Sequence, residues 1–167
     1  EDDFVHSRLT HSLEVASVGR SLAKEVGKII LSENGALRAS GIKYQDFGDV
    51  VSAACLAHDL GNPPFGHSGE QSISSFFLNT EEGRFFESRV KPDEWSDLIN
   101  FEGNAQGFRI LTNPNHGGLS LTYSTLATFT KYPLSSASKK VPARQSQHKY
   151  GFFNDNFTYF ETIAEEL

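Results

Sequence analysis

Residues 57 to 70 read AHDLGNPPFGHSGE. His58 and Asp59 form an adjacent pair, a Gly-Asn-Pro-Pro break follows, and His67 and Glu70 stand three residues apart beyond it. Neutral imidazole combined with carboxylate suits Mn, Fe, Co, Ni or Zn better than Ca. Neighbouring side chains on a helix diverge by about 100°. His58 and Asp59 therefore share one ion only at a helix end, with a further ligand from another helix. His11 is the natural third ligand, because it extends an apolar row of the first helix at its N-terminal end. The competing reading makes His58 and Asp59 a helix-end hydrogen-bond pair and His11 a core histidine. His67 and Glu70 suit proton handling, since a carboxylate can orient an imidazole and set its pKa. For Glu70 the competing reading is charge–dipole stabilisation of a helix start, worth ~0.3–1 kcal/mol. Backbone N–H groups at that helix start could also hold phosphate oxygens.

These residues need helices to position them. Leu13, Ala16, Ala23, Val26 and Ile30 recur at three- and four-residue steps, which predicts a helix from about Leu9 to Ser32. Val15, Val18, Leu22, Val26 and Ile29 widen its apolar face. The turn-rich stretch SENGALRASGIKYQDFGD reads as a loop, and Asp49 is placed to cap a second helix, VVSAACLAHDL. That helix is apolar nearly all round and is expected to be buried. Gly61 and Pro63-Pro64 stop it. Ser68 and Gln71 have capping-box spacing, which predicts a third helix from Gly69 to about Leu78. Another helical stretch follows Pro92-Asp93 through EWSDLINFEGNAQGFRILT. The segment GGLSLTYSTLATFTKYP fits strand by its Thr and Tyr content and helix by the spacing of Leu119, Tyr123, Leu126 and Thr130. Residues 133 to 149, with Lys139, Lys140, Arg144 and Lys149, read as a mobile basic loop. There is no convincing set of alternating strands, so the class expected from these patterns is mostly α.

Composition narrows the setting. The 167 residues are 38% hydrophobic and 22% charged, which fits a globular soluble chain with a real core. No run reaches the ~18 apolar residues of a membrane-spanning helix. There is no secretory signal pattern. Cys55 is the only cysteine, which excludes an internal disulfide and points to a reducing compartment, the cytoplasm. A net charge of -6 argues against general DNA coating but leaves room for a local basic pocket. The lack of Met, and the ending FTYFETIAEEL, which reads as a helix cut midway, lead us to expect an incomplete chain.

Four blocks, RLTHSLEVASVGR (8 to 20), AHDLGNPPFGHSGE (57 to 70), NFEGNAQGFRILT (100 to 112) and LTYSTLATFTKYP (121 to 133), together resemble the dGTP triphosphohydrolase branch of the HD superfamily. KYGFF (149 to 153) also resembles a segment of that family. The blocks occur in family order and cover most of the chain. The resemblance implies an all-helical HD fold over 1 to 167, as the N-terminal part of a larger helical protein. It implies hydrolysis of a deoxynucleoside triphosphate, dGTP above all, to deoxynucleoside and intact triphosphate.

Under the resemblance, His11, His58 and Asp59 match three metal ligands, with Mn or Mg expected and Fe, Co, Ni or Zn as alternatives. His67 and Glu70 match the catalytic pair. Arg8 matches an arginine near the phosphates, where a guanidinium fork suits phosphate oxygens; on its own it would read as a surface salt bridge. Asn104 and Gln106, beside Glu102, are candidates to line the cleft or are solvated helix positions. Lys131 and Tyr132 are candidates to face phosphate and sugar. The family's fourth ligand, an Asp in an Ala-Asp-Asp-like motif, has no match here, and neither Asp97 nor Asp155 has the right context. A ring-like homo-oligomer, often a hexamer, is also implied. The alternatives are another HD phosphohydrolase (a nucleotidase or phosphodiesterase) and a non-catalytic subunit binding nucleotide or single-stranded nucleic acid.

Overall fold

A computed structural model describes residues 5–113, 119–138 and 149–167. Among them the chain is mostly helical, with no strand and one isolated parallel bridge between Ser135 and Phe152. The helices are α1 (Arg8–Glu33), α2 (Gly35–Ala39), α3 (Tyr44–Ala57), α4 (His67–Asn79), α5 (Glu81–Arg84), α6 (Pro92–Ile99), α7 (Gly103–Thr112), α8 (Tyr123–Phe129) and α9 (Phe157–Glu165). A 3-10 turn, Asn154–Asn156, leads into α9. The all-α expectation holds, and the segment that fitted both strand and helix forms α8. No helix among the described residues is long and apolar enough to cross a membrane. The basic positions 139 to 148 lie outside the described residues.

The chain falls into two compact units, Glu1–His58 and Asp59–Leu167. In the first, α1 packs along α3. Ser7 caps α1: its Oγ accepts from the Thr10 N–H at 3.2 Å, and its own N–H donates to Thr10 Oγ1 at 2.8 Å. The buried side of α1 is narrow and small, built from Ser12, Ala16 and Gly27. A Cβ on Gly27 would lie 2.9 Å from Phe47 Cδ2, so the helices approach too closely for a side chain there. This corrects the broad apolar face read from periodicity. Close approach through small residues leaves Leu13, Val18, Leu22, Val26 and Ile29 exposed. Helix α3 starts at Tyr44 rather than after Asp49, because Asp46 accepts the Lys43 N–H at 2.8 Å and satisfies the helix start earlier. It buries Gly48, Ser52 and Ala54 and leaves Leu56 exposed, so it is not buried all round.

The second unit centres on α7 and α8. Ala105, Phe108 and Leu111 of α7 are buried, as are Leu126 and Phe129 of α8. Phe152 stacks on Phe160 of α9 with centroids 4.2 Å apart. The single helical stretch expected after Pro92 is two helices, broken at Asn100–Glu102. Gly61 sits against the start of α7: a Cβ there would meet Gly103 O and Gly107 N at 2.1 Å each. Asp97 ties α6 to the rest of this unit. Its Oδ1 accepts from Ser136 Oγ and from the Asn154 N–H at 2.8 Å, and its Oδ2 from the Asp155 N–H at 3.2 Å.

Candidate functional site

His11 lies one turn into α1, three residues after Arg8, so the two project from neighbouring positions of one helix face. Arg8 is exposed and His11 half-buried. His58 closes the C-terminus of α3. The His11 and His58 rings meet edge to face with centroids 5.1 Å apart. The Cys55 carbonyl lies 2.8 Å from His58 Nδ1. A carbonyl only accepts, so Nδ1 carries the proton and the Nε2 lone pair is the one available to a metal.

Asp59 is the next residue in the chain and begins the second unit. Its Oδ1 accepts from Asn62 Nδ2 at 2.8 Å. Sequence reasoning did not single out Asn62. The signal was the turn itself, in which an Asn three residues after the Asp can reach back to it.

Beyond the break, Phe65 (φ 65°) and Gly66 (φ 55°) both take left-handed backbone. They turn the chain so that α4 begins at His67, two residues before the position that the Ser68–Gln71 spacing predicts; Ser68 falls inside the first turn and Gly66 is the N-cap. His67 Nδ1 lies 2.8 Å from Glu70 Oε2. Glu70 is buried, and its Oε1 accepts the Gly103 N–H at 2.8 Å. With both oxygens engaged, the carboxylate has a fixed orientation and holds the imidazole through Nδ1. The His67 side chain is 73% exposed, so its other nitrogen is reachable from solvent.

His67 and Glu70 line a cavity of about 420 Å³ with Gln71, Ser74, Glu102 and Tyr150. Glu102 is buried, and burial pushes its carboxyl above the ordinary value. A hydrogen bond from Asn104 lowers it, the Glu70 carboxylate raises it, and Lys149 and His67 lower it again. Asn104 Nδ2 donates to Glu102 Oε1 at 2.7 Å, and Lys149 Nζ lies 3.8 Å from the same oxygen.

The remaining candidates are scattered. Among the described residues that line this cavity, Asn104, Gln106, Lys131 and Tyr132 are absent. Asn104 bonds to Glu102 on its border. Gln106 lines a separate hollow of about 280 Å³ with Arg109, Ile110 and Asn113. Lys131 is exposed, and the half-buried Tyr132 ring lies 5.9 Å from Lys149 Nζ.

A family model described as HD domain matches residues 8–103. A deoxyguanosinetriphosphate triphosphohydrolase-like protein of Pseudomonas aeruginosa is 44% identical over 170 residues, covering 99% of this chain and 37% of its own length. One from Synechocystis is 48% identical over 172 residues, covering 98% of this chain and 38% of its own length. A deoxyguanosinetriphosphate triphosphohydrolase of Cronobacter sakazakii is 34% identical over 191 residues, with 98% and 37% covered. The chain thus spans somewhat over a third of the length of these relatives.

Proposed function

Because the chain belongs to the HD-domain family and groups with its deoxyguanosinetriphosphate triphosphohydrolase-like members, we propose that it hydrolyses deoxynucleoside triphosphates, dGTP first, to deoxynucleoside and inorganic triphosphate. His11, His58 and Asp59 would hold the divalent ion, Mn or Mg. The observation that carries this reading is the paired imidazoles of His11 and His58, with His58 Nδ1 committed to a backbone carbonyl. Two imidazoles and a carboxylate fit a transition ion better than Mg, which prefers oxygen ligands. Two imidazoles binding one ion at ~2.0–2.1 Å with a tetrahedral angle put their centroids about 5 Å apart, and the observed spacing is 5.1 Å. Asn62 orients the Asp59 carboxylate as an outer partner of a ligand would.

When bound, the ion acidifies water and draws charge from phosphate oxygens. The other tasks fall to side chains. Arg8 presents a planar fork to the phosphates and Lys131 offsets triphosphate charge. Water oxygen joins the α-phosphorus, the bond from phosphorus to the nucleoside 5′-oxygen breaks, and that oxygen takes up a proton. His67 moves one proton of this exchange through Nε2 while Glu70 accepts its Nδ1–H. Tyr132 faces the sugar, and Asn104, bonded to Glu102, lines the edge of the cleft; Gln106, in its separate hollow, is left out of the substrate contacts. The same family reading carries a hexamer-like homo-oligomer and a cytoplasmic location.

Product analysis tests the reaction. The protein is incubated with each of the four dNTPs and Mn²⁺ or Mg²⁺. Inorganic triphosphate plus nucleoside, fastest from dGTP, is expected. Pyrophosphate, nucleoside monophosphate or orthophosphate as the primary product would overturn the reading.

A further inference from the structure

The first unit also gathers donors on the solvent side of α1. His6 precedes the Ser7 cap, and the reciprocal Ser7–Thr10 hydrogen bonds fix how the chain enters the helix at that point. Glu14 follows His11 by three residues and so projects from the same face. One ligand-capable atom from each of His6, His11 and Glu14 lies within 4.8 Å of the other two. The His6 and His11 rings are 5.8 Å apart, tilted by 38°. His6 Nε2 stands 3.4 Å from Glu14 Oε2. That is longer than the ~2.7–3.2 Å of an N–H···O hydrogen bond. It matches the ~3.3–3.5 Å edge between two donors held at ~2.0–2.2 Å on a tetrahedral ion.

We propose that His6, His11 and Glu14 form a second metal site, able to hold a borderline transition ion such as Zn²⁺ and sharing His11 with the site assigned above. Two imidazoles and one carboxylate are a donor set of this class, and a fourth position is left for water. The His6 and Glu14 side chains are 60% and 52% exposed, so an ion reaches them directly from solvent. His11 is common to both donor groups.

Zn²⁺ titration of the purified protein against a chromophoric chelator tests this, in a His58→Asn background that disables the other site. The background protein is expected to bind Zn²⁺. Adding His6→Gln, or separately Glu14→Gln, is expected to weaken binding at least ~10-fold, no less than the loss of an outer-shell partner gives. Both added changes are on exposed side chains, and circular dichroism confirms that each variant keeps its helix content. Unchanged Zn²⁺ affinity in both, or loss of all Zn²⁺ binding from His58→Asn alone, would overturn the proposal. Because this titration reads metal and not turnover, its outcome is independent of which nucleotide products are found.

Discussion

Glu70 places one carboxylate oxygen on His67 and the other on the Gly103 N–H, so the His67–Glu70 pair is anchored to the start of α7. We expect His67→Ala to lower dNTP turnover by ~10²–10⁴-fold, the usual contribution of a general acid or base. Glu70→Ala should lower it by a related factor. The double variant should lose far less than the product of the two, because the residues act as a unit; fully multiplicative losses in steady-state kinetics would separate their roles. Glu102 gives a pH prediction. Burial raises its carboxyl above the ordinary value of 4.5 in the folded state. The folded protein then keeps this proton to higher pH than the unfolded chain, so stability is lost as pH rises from about 4.5 through the raised value. Glu102→Gln removes that loss. Urea titrations at several pH values should show the variant gaining on the parent protein as pH rises, and a pH-independent difference would count against the shift. The His67–Glu70 pairing was legible from its three-residue spacing and complementary chemistry, although the helix that carries both was expected to start only at Gly69 and begins at His67. Asn62 was not, because its bond to Asp59 depends on the turn after α3. Nor could spacing show that Gln106 lines another hollow, since helix phase depends on where α7 starts.

At the element scale, helix existence was legible and helix ends were not. Periodicity located α1 to within a residue at each end. The starts of α3 and α4 moved because side-chain acceptors and left-handed backbone decided them: Asp46 took the Lys43 N–H, and Phe65 with Gly66 turned the chain into His67. At the break between α6 and α7 the Phe101 N–H donates to Ser74 Oγ and the Gly103 N–H to Glu70, both contacts far away in sequence. Close packing sets the energetics. Gly61→Ala drives a Cβ into two backbone atoms at 2.1 Å, neither of which can rotate away. It should destabilise by ~1–3 kcal/mol or more. Gly35→Ala is the control: nothing lies within 4 Å of its Cβ position, and it should stabilise by ~0.4–1 kcal/mol. Denaturant titrations that rank the two in the opposite order would refute the packing account. Asp97→Ala strips an acceptor from the Asn154 and Asp155 N–H groups and from Ser136, and should cost ~1–3 kcal/mol for each donor left unsatisfied.

On the scale of the whole molecule, the chain is two compact helical units and spans somewhat over a third of the length of its relatives. The family blocks were legible because each is a local cluster of polar residues set in apolar surroundings. The exposure of the large apolar residues on α1 was not, because periodicity reports an apolar face without saying how wide a face its partner helix covers. In the function proposed above, metal ligands and proton-handling residues are separate, with His58 in the first group and His67 in the second. The most direct test is equilibrium Mn²⁺ titration of the protein beside its His58→Ala and His67→Ala variants. At least ~10-fold weaker Mn²⁺ binding is expected for His58→Ala, no less than removal of an outer-shell partner gives, and unchanged binding for His67→Ala. Loss of Mn²⁺ affinity from His67→Ala as large as that from His58→Ala would contradict it.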